Sequence, residues 1–271
     1  MRARPLVAAL ALWAAGTARA QDPAGVRVEA VPEYASVAPG GVFRVAVRLR
    51  IPEGCHISWI NPGQSGLPTT IAWQTPAGVG AGETEWPYPE RDETAGLVSH
   101  VYRGVAVVVT RFLADSSIHG PAAVLRAALS WGVCGKTCVP QRDTVEVSLP
   151  VRRSAGETTG EWRALAPSLE NLPLAGTDLV VGAAAQGDSA RLTIAGSRFA
   201  AATSRRATFF PHPSGVAVVV AVRREGRGIA FTLPARVFRA HPSHLAGVLV
   251  GDRPWLVGSQ RRALAIEAVI Q

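Results

Sequence analysis

Several features are missing from this sequence, and each absence narrows what it can be. Beyond residue 20 no segment is long and apolar enough to span a bilayer, which takes about 20 such residues, so no membrane span is expected after that point. No long stretch carries the 3.6-residue apolar period of an amphipathic helix, which argues against a thioredoxin or Rossmann domain. Basic residues exceed acidic ones by eight. They are spread along the chain, mostly as Arg, and form no dense stripe with interleaved aromatics, so a nucleic-acid partner is not expected. No Ser/His/Asp arrangement, phosphate-cradling glycine loop or pair of carboxylates in an obvious cleft is apparent, and no cofactor is expected. Cysteine is scarce, with three in 271 residues. Three is an odd number, and in an oxidising compartment two would pair and leave one over.

What is present begins with a targeting pattern. Arg2 and Arg4 precede an apolar run from Leu6 to Ala15, and Ala18-Arg19-Ala20 follows. A charged start, a short apolar run and an A-x-A site define residues 1–20 as an expected signal peptide. No cysteine follows the cleavage site, so a lipid anchor is not indicated. The mature chain is expected to be exported, periplasmic and soluble.

The rest reads as strands. In Val42 to Ile51, Phe43, Val45, Val47, Leu49 and Ile51 fall on one face and Arg44, Arg48 and Arg50 on the other. This is the period-two pattern of a half-buried strand. Leu125, Leu129 and Trp131 repeat it, as do Val145, Val147 and Leu149. The nearly continuous apolar run Val105–Val109 predicts a central strand. Asn61-Pro62-Gly63, Pro76-Ala77-Gly78 and Trp86-Pro87-Tyr88-Pro89 read as turn-rich stretches. Short strands between such turns predict an all-β protein built on a β-sandwich, here spanning 22–151. Residues 152–172 are polar and turn-like, with a short helix expected over Glu161–Leu169, and are read as a linker. Strand patterns resume at Leu179–Ala183, Ala190–Ile194, Val216–Val222, Ile229–Leu233, Leu245–Val250 and Leu264–Ile270. A second, smaller β-rich domain is therefore expected over 173–271. The tryptophans Trp59, Trp73 and Trp131 are expected in the core. His56 is read as a packing or hydrogen-bonding residue rather than a catalyst, and His212, His241 and His244 suggest no constellation.

Chemistry concentrates in Trp131-Gly132-Val133-Cys134-Gly135-Lys136-Thr137-Cys138-Val139-Pro140. Residues four apart on a straight strand lie about 13 Å apart, whereas a disulfide needs Cα atoms within about 7 Å. If Cys134 and Cys138 pair, the chain must reverse between them. Gly132, Gly135, Pro140 and the flanking strand patterns favour a hairpin tip over a helical turn. So small a ring stabilises little, because loop-closure entropy grows with loop length. Such a bond is a better candidate for a reversible switch than for a staple, and Lys136 between the sulfurs would favour a thiolate. Two other readings stay open: an inert clip within a non-catalytic binding module, and a thiol-based metal site that adds Cys55 or His56. Because Cys55 and His56 are adjacent on a strand pattern, only one of them could readily ligate. Cys55 could otherwise be a buried small hydrophobe, a regulatory thiol or a site of intermolecular pairing.

Three segments together resemble a known family. Cys55-His56-Ile57-Ser58-Trp59-Ile60-Asn61-Pro62-Gly63-Gln64-Ser65-Gly66-Leu67-Pro68-Thr69 is similar to its H-x-Y/S-W-x-N-P-G-x-S-G-x-P-T segment. Trp86-Pro87-Tyr88-Pro89 is similar to its W-P-x-P segment, and Trp131 to Pro140 to its W-x-x-C-x-x-x-C-x-P segment. The family is the N-terminal, disulfide-reducing domain of DsbD and of ScsB-type proteins, and the resemblance covers roughly residues 26–150. The second half is more loosely similar to the β-rich region that follows in ScsB-type proteins, mainly at Phe209-Phe210-Pro211. The resemblance implies an immunoglobulin-like sandwich in which Cys134 and Cys138 exchange with partners. Cys138 would form the mixed disulfide and Cys134 would resolve it. Trp131, Lys136, Pro140 and Tyr102 would support the site, and Asp92–His100 would correspond to a cap loop. It further implies electrons arriving from a membrane electron-transfer protein or a thioredoxin-like protein, here a separate chain, and passing to exported client proteins.

Overall fold

The computed structural model describes residues 25–175, 179–199, 204–212, 215–234, 237 and 244–271. The expected signal peptide and His241 lie outside the described residues. The protein is nearly all β, and the described residues form four antiparallel sheets. The first holds β1 (Arg27–Pro32), β2 (Val42–Arg50), β8 (Val105–Ala114) and β5 (Val79–Glu85), in that order. The second runs β10 (Cys138–Pro150), β9 (Ala122–Cys134), β3 (His56–Gly63), β7 (Leu97–Tyr102) and β6 (Glu90–Thr94), with β4 (Thr70–Gln74) also paired to β9. The third holds β11 (Leu179–Gln186), β12 (Ser189–Gly196), β16 (Gly228–Pro234) and β15 (Arg223–Glu225). The fourth holds β14 (Val218–Ala221), β13 (Arg206–Pro211), β17 (His244–Gly251) and β18 (Ala263–Val269).

Alternation decides which face of each strand is buried. On β2 the odd-numbered Phe43, Val45, Val47 and Leu49 enter the space between the first two sheets. They meet Leu125, Ala127, Leu129, Trp131 and Val133 of β9 there. The opposite face of β2 is not wholly solvated. Ala46 is buried with Val31, Val107 and Val109 beneath Trp162, Leu165 and Leu172. Trp162 belongs to the short helix α1 (Gly160–Ala164), Leu165 links it to a second, α2 (Ala166–Leu169), and Leu172 lies in the turn after them. The Thr159 hydroxyl caps α1 by accepting from the Trp162 backbone N–H at 3.1 Å. Arg44 lies over the Trp162 ring and makes a two-point ion pair with Glu33, at 2.9 and 2.6 Å. This segment therefore packs on the outer face of the first sheet.

The first two sheets and the last two share a core. Trp59 is fully buried, and its ring meets Phe210 and His212 edge-on or tilted, with centroids 6.1 and 4.9 Å away. The Asn61 amide donates to the Pro211 and Gly215 carbonyls at 2.7 and 3.3 Å. The buried His100 ring spans the join. Its Nε2 accepts from the Ala217 backbone N–H at 3.2 Å, so Nδ1 carries the proton and donates to the Asn61 carbonyl at 2.8 Å. The stretch Asn61-Pro62-Gly63 is thus not the free turn that its composition predicts. It lies within β3 at a register shift, where Gly63 takes a φ of 79° and any Cβ would stand 2.5 Å from the Val98 carbonyl oxygen.

Burial, and to a lesser extent Arg91, hold the His100 pKa down to about 4, although its bond to Asn61 works the other way. An unfolded His titrates near 6.5, so the unfolded chain binds this proton first as pH falls. His100 therefore contributes fully above about pH 6.5, and roughly 3 kcal/mol should be lost by pH 4. Burial lowers the His212 pKa as well, with the same sign. Denaturant titrations between pH 4 and 8 should show this loss, and His100→Gln should flatten it while lowering stability at pH 7. Asn61→Ala should cost about 1–3 kcal/mol at neutral pH by leaving its buried partners unpaired.

Candidate functional site

A thirteen-residue antiparallel ladder carries the site, because β9 and β10 pair without a break from Ala122↔Pro150 to Cys134↔Cys138. The turn of Gly135, Lys136 and Thr137 closes it, with the Gly135 N–H bonded to the Thr137 carbonyl at 3.0 Å. The reversal brings the cysteine Cα atoms to 4.0 Å, and the two sulfurs are bonded. The pair is asymmetric in exposure: Cys134 is 4% exposed, whereas Cys138 and the whole turn face solvent. An incoming sulfur can therefore reach the Cys138 side more readily than the Cys134 side.

Neighbouring strands supply the surroundings. Cys134 pairs with His56 and Val133 with Ile57 across β9 and β3. Ile57 and Val133 enter the core, so His56 and Cys134 share the opposite face. Burial first, then the positive charge of Arg103, lower the His56 pKa, and Asp92 partly offsets this. Arg103 in turn bonds Asp92 at 2.7 Å and Glu90 at 3.1 Å. The Arg103 bond holds the Asp92 carboxyl below its ordinary range. Leu67, half exposed, covers β9 at Gly132, where a Cβ would come within 3.2 Å of the leucine side chain. A glycine there lets the loop lie against the strand.

The supporting residues fall in different places. Lys136, the only lysine in the chain, stands exposed on the turn between the two cysteines. Pro140 is exposed opposite Gly132. Trp131 is buried, with its indole N–H bonded to the Gln141 side chain at 3.2 Å. Tyr102 is buried beside Ile57, and its hydroxyl donates to the Pro87 carbonyl at 2.6 Å. Burial pushes its pKa well up, so it acts as a neutral post beneath the Trp86–Pro89 loop. Cys55 is free and half-buried, and a Cβ at Gly135 would stand 3.4 Å from its sulfur. Among the described residues no group of three or more His, Cys, Asp or Glu side chains is placed to hold a metal.

The cap expectation needs correcting. Asp92–His100 forms the hairpin of β6 and β7, whose turn at Ala95–Gly96 lies beyond the Ser99↔Gly63 pair. That is the far end of β3, whereas Cys134 sits opposite His56 at the near end. The hairpin reaches the site only through its base, by the contacts of Asp92 and Glu90 with Arg103. Asn61, read as part of a turn, and His100, read only as the end of a cap loop, prove central to the join between sheet pairs. Their partners lie more than 100 residues away, where no local pattern could reveal them.

Comparison with known proteins agrees with this geometry. Residues 26–150 match the family model for the N-terminal region of the thiol:disulfide interchange protein DsbD. This segment is a DsbD N-terminal-type domain. The chain as a whole shares its fold with the N-terminal periplasmic domain of ScsB from Proteus mirabilis. That match has a TM-score of 0.58 and 14% identity, and covers 92% of this chain and 95% of that one. The reduced DsbD N-terminal domain of Neisseria meningitidis aligns over 45% of this chain and 86% of its own, at 22% identity and a TM-score of 0.29. No curated protein sequence matches the chain.

Differential exposure gives a direct test. In the reduced protein, a limiting amount of iodoacetamide should label Cys138 well ahead of Cys134, as read by peptide mass spectrometry. Equal labelling, or labelling of Cys134 first, would contradict the placement of the two sulfurs.

Proposed function

We propose that the chain is a periplasmic thiol:disulfide exchange module that takes electrons at the Cys134–Cys138 disulfide and passes them to exported client proteins. One observation carries the reading: a DsbD N-terminal-type domain presents a local disulfide at a hairpin tip, with one sulfur-bearing residue exposed and the other buried. A thiolate of a thioredoxin-like or membrane-bound donor attacks the Cys138 sulfur and forms a mixed disulfide, and Cys134 departs as the thiolate. A second donor thiol then releases the domain as the dithiol. Delivery to a client runs in reverse: Cys138 attacks the client disulfide and Cys134 resolves the intermediate.

Several features support this reading. The ring closed by the disulfide is too small to contribute much as a staple. Lys136 places a positive charge between the sulfurs, which favours the thiolate that exchange requires. Periplasmic location is supported by the expected signal peptide at 1–20 and by the fold shared with the periplasmic ScsB domain. Among the described residues no helix is long and apolar enough to cross a membrane. In this reading residues 22–151 form the redox domain and 173–271 a second domain. The second domain braces β3, the strand opposite Cys134, through Trp59 and Asn61.

Trapping tests the reading. Cys134→Ser, first converted at Cys138 to the mixed disulfide with thionitrobenzoate, should accumulate a mixed disulfide at Cys138 with a reduced thioredoxin-like donor whose own resolving cysteine is removed, as the donor thiolate displaces thionitrobenzoate. Cys138→Ser should accumulate little or none. Equal trapping by both variants, or by neither, would refute the assignment.

A further inference from the structure

We propose that His56 is the base that removes the Cys134 thiol proton when the mixed disulfide at Cys138 resolves. The proposal rests on the exchange function above and adds a residue and a proton to it.

Geometry carries the proposal. His56 and Cys134 are direct partners in the β3–β9 register. They share the face opposite to the buried pair Ile57 and Val133. Residues directly opposite each other across strands hold their Cβ atoms about 4.5–5.5 Å apart, which puts the imidazole beside the Cys134 sulfur. Among the described residues nothing is hydrogen-bonded to the His56 ring, so a nitrogen is free to take a proton. The charged groups facing it are Arg103, Asp92 and, through Arg103, Glu90. The hydrogen bonds of Asp92 go to Arg103 and Thr94 rather than to the imidazole. Burial and Arg103 keep the ring neutral at pH 7, the form a base needs.

The two cysteines differ in need. Cys138 is exposed and can give its proton to water, but Cys134 is buried against its neighbours. In the resolving step the Cys134 S–H proton passes to the His56 imidazole. The resulting thiolate attacks the Cys138 sulfur, the Cys134–Cys138 bond forms and the bond from Cys138 to the client sulfur breaks. The client sulfur leaves with the bonding pair and takes a proton from the imidazolium or from water. The domain is oxidised by two electrons and the client disulfide is reduced.

The aromatic disulfide 5,5′-dithiobis(2-nitrobenzoate) separates the two steps. Added in stoichiometric amount to the reduced protein carrying Cys55→Ser, it should release one thionitrobenzoate as Cys138 attacks and a second as Cys134 resolves. With His56 present, the second phase should change little from pH 7 to 8. With His56→Gln, the second phase should slow by about 10-fold or more at pH 7 and then rise about 10-fold per pH unit, with the first phase unchanged. Added imidazole should restore it. An unchanged second phase in His56→Gln, a slowing shared equally by both phases, or a loss that imidazole does not rescue would overturn the role of His56. Release of only one thionitrobenzoate with His56 present would overturn the exchange reading itself.

Discussion

Two cysteines four residues apart can be joined only where the chain reverses, and the β9–β10 ladder fixes that reversal. Backbone pairing holds the two strands in one register over thirteen residues, so the tip has no freedom to slip. A slip of a single residue would turn Leu125, Leu129 and Trp131 out of the core and Arg126 into it. The register that buries the core is therefore the register that places Cys134 opposite Cys138. Core packing and disulfide geometry are set by one constraint.

The same alternation divides the work of the segment from His56 to Gly63. Residues on one face, Ile57 and Trp59, pack in the core, and Trp59 reaches Phe210 and His212 of the fourth sheet and its edge. His56, on the other face, is the register partner of Cys134. Asn61 and His100 complete the join to the later sheets with bonds to backbone groups alone. A strand adjoining the disulfide is thus anchored from behind by the second half of the chain.

Much of this was legible in the sequence where the signal was local. Alternating apolar residues placed β2, β9 and β10, and the continuous run at Val105–Val109 placed β8 between two partners. Gly135 between two cysteines marked the hairpin tip. What composition missed depends on distant partners. Asn61-Pro62-Gly63 has the residues of a turn, but Asn61 is held in a strand by carbonyls about 150 positions later. His100 carries no motif, and only its burial between sheets makes it important. The cap, carried over from the family resemblance, was misplaced because matching segments do not say toward which end of a sheet a hairpin points. His56 was read as packing because its partner Cys134 is close only once β3 and β9 are paired.

The central claim is that Cys134 and Cys138 form a working redox couple rather than a fixed clip. Its most direct test is the reduction potential of this pair in the protein without residues 1–20, with Cys55 replaced by serine. A value between about −180 and −270 mV, the range of proteins that exchange disulfides, is the result this account predicts. A value below about −300 mV, where structural disulfides lie, would contradict it and make the domain a binding module with an inert staple.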